Sequence, residues 1–321
     1  MVTQRKGKSK KSAAKPRAAQ PTPVRRQCGA MAAHFRLLEQ DPGFRSRQAS
    51  LEGATSRAMA TEGRALTRAA KPPTVIPVVV HVIYNLPSEN ISLTQITSQI
   101  AVLNRDFRAK NPDRSKTPVP FKGLVSDSNI EFALATKDPQ GKPTNGVTRT
   151  KTTRTSFGTN DSVKFKGSGG ADAWPTTRYL NIWACTLGSG LLGYAQFPGG
   201  PPETDGVVIL NTAFGNKGTA AAPFGLGRTA THEIGHWLNL RHIWGDTEDC
   251  SGSDLVADTP NCAGPNDGKP TFPKISCKNG PNGDMFMNYM DYVFDEAMFM
   301  FSSQQCERMN AALDTERSTF R

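Results

Sequence analysis

The sequence predicts an α/β fold: a sheet with helices packed across it, and a cleft between an N-terminal and a C-terminal half. Three observations carry that expectation. Val75-Ile-Pro-Val-Val-Val-His-Val-Ile-Tyr84 is a branched apolar run of strand length. Ser92-Leu-Thr-Gln95 reads as a capping box, and Ile96, Ile100, Leu103 and Phe107 follow at helical spacing as one apolar stripe. Residues 232–242 read His-Glu-Ile-Gly-His-Trp-Leu-Asn-Leu-Arg-His, which puts two histidines four residues apart on one helical face.

Taken in order, residues 1–26 hold nine Lys or Arg and no acid. They are rich in Lys, Ala, Pro and Ser, lack apolar periodicity, and read as a disordered basic tail. The net charge of +11 resides there, because the remainder carries 30 basic against 28 acidic residues. That balance argues against a basic nucleic-acid groove on the fold and leaves the tail as the part able to meet anionic surfaces. The basic start is not followed by an apolar stretch, so no secretory signal is visible. No apolar run approaches the length of a membrane span.

Residues 27–74 read as a separate segment. Cys28 sits in Arg26-Gln-Cys-Gly29, ahead of an amphipathic stretch from Met31 to Leu38. Arg45, Arg47, Arg57, Arg64 and Arg68 make the segment a target for a basic-specific protease. The body, 75–321, opens with the strand at Val75. His81 in that strand has no ligand-like companion and reads as structural. Further strands are expected at Ile130 to Ala135, Tyr179 to Cys185 and Val207 to Leu210, with Cys185 an inert core thiol. Gly193 to Phe197 reads as an edge strand whose free backbone groups suit an extended peptide. The first half of the body closes at residue 242. Residues 243–321 turn rich in Gly, Pro, Asn and Asp, and hold Cys250, Cys262, Cys277 and Cys306. Four cysteines allow three pairings, and disulfides would fit an oxidising compartment.

The histidine motif carries the chemistry. His232 and His236 can grip one metal ion. His242 lies six residues further on, about 600° of helix, so the chain has to turn before it joins them. Asn239 is the expected turn, because Asn tolerates positive φ. Zinc held by three neutral imidazoles keeps a position open for water and lowers its pKa to roughly 7. Glu233 is the only acid in the motif and the expected proton acceptor. Histidines merely packed in a core are the plain alternative. An acid at the second position and a third histidine at this distance make that match rare.

This stretch resembles the metzincin signature H-E-x-x-H-x-x-G-x-x-H, with Asn239 in place of the usual glycine. Asn288-Tyr-Met-Asp-Tyr292 resembles the Met-turn, which sets a methionine, here Met290, beneath the zinc ligands. Tyr179-Leu-Asn-Ile-Trp183, Gly193-Tyr-Ala-Gln-Phe197, Gly206-Val-Val-Ile-Leu210 and His242-Ile-Trp-Gly-Asp246 are similar to the pappalysin-like (cytophagalysin) peptidases. The likeness runs from about Val75 to the C-terminus. It implies a metzincin-like α/β (α+β) fold: a twisted, mostly parallel sheet, a packing helix, a zinc-binding active-site helix and an irregular, disulfide-containing C-terminal subdomain.

The resemblance also implies a secreted zinc endopeptidase acting on proteins or peptides and made as a latent precursor. Residues 27–74 would then be a pro-segment, with Cys28 the zinc ligand of the latent state as in the cysteine switch of metzincin zymogens, and Tyr292 would donate to the reaction's oxyanion, a contact typically worth about 2.7–4 kcal/mol. Structural calcium would sit on Asp254 and Thr259 in an oxygen-rich loop. Cys250–Cys277 is the implied disulfide. A second would join Cys262 to a cysteine just after the Met-turn, where this chain reads Asp295-Glu-Ala-Met298, leaving Cys306 as the available partner. If Asp295 or Glu296 reaches the S1′ pocket, it would favour Arg or Lys after the scissile bond. Two other readings compete: a zinc hydrolase of non-peptide amides, and a binding module with a vestigial metal site and a working basic tail.

Overall fold

The computed structural model describes residues 25–62 and 72–321. The N-terminal segment forms helices α1 (Ala30–Gln40) and α2 (Phe44–Glu62). The body then runs β1 (Thr74–Tyr84), α3 (Leu93–Phe107), a single-turn α4 (Val119–Lys122), β2 (Ile130–Leu134), β3 (Val147–Lys151), β4 (Leu180–Cys185), β5 (Gly193–Ala195), β6 (Val207–Leu210), α5 (Arg228–Trp237) and α6 (Ser303–Asp314).

Strand order is β2-β1-β4-β6-β5, with β3 continuing beyond β2 along the same side of β1. Every pairing is parallel except β5 with β6. The central strand β1 is buried on both faces, as parallel strands are, which is why its sequence is a continuous apolar run and not an alternation. Ile76, Val78, Val80 and Val82 pack with Ile96, Leu103 and Phe107 of α3 and with Ala230 and Ile234 of α5. On the opposite face Val79 packs with Ala135 and Tyr179, and Ile83 with Trp183, Cys185 and Val208. His81 lies within this layer, between the Thr148 hydroxyl at 2.8 Å and the Asn181 side-chain oxygen at 3.0 Å.

Four expectations need correction. The capping box of α3 is only half formed. Ser92 accepts from the Gln95 amide, but the Gln95 side chain donates to the Asn211 and Phe214 carbonyls instead, tying α3 to the loop after β6. The edge strand ends at Ala195, short of Phe197. Cys262 and Cys306 are unbonded: Cys306 on α6 packs its thiol on the Ser126 carbonyl, and the Cys262 thiol faces the Pro260 carbonyl. Arg26, assigned to the tail, is 2% exposed and belongs to the folded segment. The Cys250–Cys277 bond is present. The tail through residue 24, and Arg64 and Arg68, lie outside the described residues.

Candidate active site

Helix α5 is buried along its whole length and anchored at both ends. At its start Arg228 pairs with Asp106 at 3.2 Å and Asp113 at 3.0 Å, and donates to the Tyr289 hydroxyl and the Met298 carbonyl. At its end Asp205 accepts from the Trp237 indole and takes a two-pronged bond from Arg317, whose guanidinium lies 3.7 Å from the Trp237 ring centroid. These contacts fix the helix's rotation and hence the direction of His232 and His236. The helix closes with Asn239 N–H donating to the His236 carbonyl and Leu240 N–H to the Gly235 carbonyl, both at 2.9 Å. This is a Schellman closure, and Asn239 supplies its left-handed residue at φ 73°. The turn carries His242 back to the other two rings.

The Nε2 atom of His236 lies 3.2 Å from that of His232 and 3.0 Å from that of His242. Nitrogens bound tetrahedrally to zinc at 2.0–2.1 Å stand roughly 3.3 Å apart, so the set fits such an ion. The outer nitrogens are committed elsewhere. Nδ1 of His232 donates to the Tyr289 carbonyl at 2.7 Å, that of His236 to the Leu240 carbonyl at 2.8 Å, and that of His242 to Asp246 at 2.5 Å. Each bond leaves the Nε2 lone pair facing the shared centre. Burial, then the neighbouring rings, hold His232 and His236 well below the usual histidine range, so both are neutral.

Beneath the rings, Met290 packs directly on the helix: a Cβ on Gly235 would stand 2.5 Å from its sulfur. Glu233 lies under the edge strand. A Cβ on Gly193 would stand 2.9 Å from Glu233 Cγ, so the glycine leaves room for the carboxylate. Burial pushes Glu233 up to about 8, opposed by the Cys28 thiol and Arg26. Tyr292 flanks the site, its ring 5.0 Å from that of His242 and 5.8 Å from that of His232, and Trp244 stacks on His242 at 4.4 Å.

The N-terminal segment enters this cleft. Gln27 and Gly29 pair with Leu192 and Gly193 along the open side of β5, both at 2.9 Å. The Cys28 Sγ donates to Glu233 at 3.4 Å and, with the three Nε2 atoms, forms a group within 4.8 Å of one another. Gly29 is needed for so close an approach, since a Cβ there would meet Thr159 at 2.4 Å. Arg26 turns into a buried recess. It donates to Asp295 at 2.6 Å, Thr229 at 3.0 Å and the Val293 carbonyl at 3.3 Å, over the Phe224 ring. Asp295 also accepts from the Leu226 and Arg228 amides. Glu296 is directed outward to Lys269.

Asp254 and Thr259 lie together in the later loop, the threonine hydroxyl donating to the carboxylate at 2.7 Å. Burial pushes Asp254 up to about 7. Sequence reasoning missed Arg26, hidden in a basic run. It also gave no role to Asp246, whose position four residues after His242 is unremarkable by itself.

Residues 167–314 match the M43 peptidase family model, described as pregnancy-associated plasma protein-A. The chain is 31% identical over 239 residues to an extracellular metalloprotease of Arthroderma gypseum, covering 71% of this chain and 69% of that one. With extracellular metalloproteases of Verticillium alfalfae and Coccidioides posadasii it shares 40% and 39% identity over 139 residues, a match spanning about half of each relative (49% and 48%). No helix among the described residues is long and apolar enough to cross a membrane. A promirolysin mutant of Tannerella forsythia superposes with a TM-score of 0.83 at 48% identity, covering 92% of this chain and 96% of that one. Mature mirolysin of the same organism, in complex with a cleaved peptide, superposes at 0.76 with 54% identity, covering 78% of this chain and 95% of that one. On the three-histidine site, the Met290 packing and these likenesses, the chain belongs to the pappalysin-like M43 family of metallopeptidases.

Proposed function

We propose that this chain is a latent zinc endopeptidase acting outside the cell on protein or peptide substrates, with a preference for a basic residue after the scissile bond. His232, His236 and His242 would hold the ion. When bound, zinc supplies Lewis acidity, acidifying water and polarising the scissile carbonyl. Glu233 takes the proton from water and passes it to the leaving amine, a role suited to a carboxylate raised into the neutral range. The Tyr292 phenol donates to the developing oxyanion. The open side of β5 aligns the substrate backbone.

The observation that carries this reading is the convergence of three Nε2 atoms whose Nδ1 partners leave them as acceptors. Latency rests on residues 25–62. Cys28 occupies the approach to the histidines, and the promirolysin match covers more of this chain than the mature form does. Arg26 on Asp295 supports the basic preference: the segment fills the recess with the side chain a substrate would offer. Asp254 with Thr259 is the proposed calcium site. Its support is a buried carboxylate whose partners are a hydroxyl and an amide.

The test is Glu233→Gln in the activated enzyme, assayed on proteome-derived peptides with zinc content measured in parallel. The parent should cut before Arg and Lys. The variant should keep its zinc and lose at least about a thousandfold in turnover. Parental turnover in the variant would remove Glu233 from its role. Cleavage confined to non-peptide amides would favour the hydrolase alternative.

A further inference from the structure

Besides the exposed Arg25, which pairs with Asp267 at 3.4 Å, three charged side chains of the N-terminal segment end on opposite charges of the body. Arg26 meets Asp295, Arg36 meets Asp161, and Glu52 meets Arg308 and Arg241. The third contact differs from the others in what departure of the segment would leave behind. Asp161 keeps Lys164 at 2.8 Å, and Asp295 keeps two backbone amides. Among the described residues, Arg241 and Arg308 have no carboxylate within ion-pair distance except Glu52.

Both guanidinium groups are built into the fold. The Arg308 side chain is 1% exposed and its Nε donates to the Asn239 carbonyl at 2.7 Å, at the turn that ends α5. Arg241 lies over the Phe197 ring at 4.9 Å, and its buried Nε has no hydrogen-bond partner. Glu52 also accepts from the Asn239 side chain at 3.3 Å. Arg308 is buried and the Arg241 side chain is 18% exposed, and both lose their shared, borrowed carboxylate once the segment leaves. The planar fork of arginine matches a carboxylate better than any other common anion-binding side chain does.

We infer that Arg241 and Arg308 form a carboxylate-binding subsite of the activated enzyme, which takes an acidic side chain of the peptide substrate before the scissile bond. The inference rests on the proposed reading of Asp295 as the pocket for the residue after that bond. Arg26 lies to one side of Cys28, and α1 and α2 lie to the other. Phe197, just past β5, spans the distance: its ring is 5.2 Å from His236 and 4.9 Å from the Arg241 guanidinium. His34 of α1 covers that ring at 5.2 Å. Loss of the segment uncovers a path from the histidines over Phe197 to the arginine pair. A substrate anchored at Asp295 sends its preceding residues along that path.

The experiment uses activated enzyme and quenched fluorescent peptides that contain a single Arg in an otherwise neutral sequence. Glu is moved through each position before the Arg, and every peptide is paired with its Gln counterpart. The Glu-to-Gln ratio of kcat/KM is read, which does not depend on how much of a variant is correctly folded. At one position or two adjacent ones the ratio should reach about three- to tenfold, fall with added salt, and collapse to about one in Arg241→Gln. Arg308→Lys, which keeps the charge and loses the fork, should give an intermediate ratio. A ratio near one at every position in the parent, or a preference that survives Arg241→Gln, would overturn the inference while leaving the Asp295 reading intact. Cleavage that does not fall before the Arg would overturn both.

Discussion

Replacing Arg26 with alanine should open the latent chain. The Arg26 side chain is 1% exposed and that of Asp295 is fully buried, so the pair sits where removing one partner of a buried ion pair costs about 3–5 kcal/mol. Alanine also forfeits the bonds to Thr229 and Val293 and the cover over Phe224. Against that, Asp295 keeps the Leu226 amide at 2.8 Å and the Arg228 amide at 3.2 Å, and water can refill the recess. The low end therefore applies, about 3 kcal/mol. At 1.36 kcal/mol per decade, the equilibrium between covered and open cleft moves by roughly two orders of magnitude. The assay is the initial rate of full-length chain on an Arg-containing fluorogenic peptide, with mass spectrometry verifying that the chain is still intact. Arg26→Ala should start about a hundredfold faster than the parent, and Arg26→Lys should fall between them. The two activated enzymes should be indistinguishable, because residue 26 has by then been removed. An intact Arg26→Ala chain as silent as its parent would refute the reasoning.

Two further outcomes follow from the same contacts. Burial first, then Arg241, holds His34 down at about 4, so the docked segment carries it neutral and a released one takes up a proton. A depressed histidine favours docking fully above about pH 6.5 and loses that contribution as pH falls towards 4, about 2 kcal/mol by pH 5. Onset of activity should be roughly thirtyfold faster at pH 5 than at neutral pH in the parent and markedly less pH-dependent in His34→Gln; matching pH profiles would contradict this. Gly235→Ala would gain at most about 1 kcal/mol of helix propensity but drive a Cβ to 2.5 Å from the sulfur of fully buried Met290, an overpacking cost of about 1–3 kcal/mol. Calorimetry should show a lower Tm and metal analysis a lower zinc content, whereas an unchanged Tm would mean that Met290 does not brace the helix.

The parts of the fold that were legible are those where one physical demand dominates. Burial on both faces wrote the branched run of β1, and a single amphipathic face wrote α3. The need for a helical pair and a returning third ring wrote residues 232–242. The less legible parts answer to distant partners. Val147-Thr-Arg-Thr-Lys151 is a polar edge strand recognised only by its pairing with β1. Helix α2 lacks a strong apolar stripe because much of its docking is polar, as with Glu52 on Arg308 and Gln48 on the Pro198 carbonyl. Arg26 reads as one more charge in a basic tail, and only the position of Asp295 gives it a role. Cys262 and Cys306 are left over once Cys250 and Cys277 pair, and only the fold shows each thiol on a carbonyl of its own surroundings, Pro260 and Ser126.

The most direct measurement is anomalous X-ray scattering at the zinc edge from crystals of the full chain. The account predicts one strong peak within bonding distance of Nε2 of His232, His236 and His242, with the Cys28 sulfur as the fourth neighbour. A crystal grown with zinc in which those three rings surround no peak, or in which the peak lies elsewhere, would contradict it.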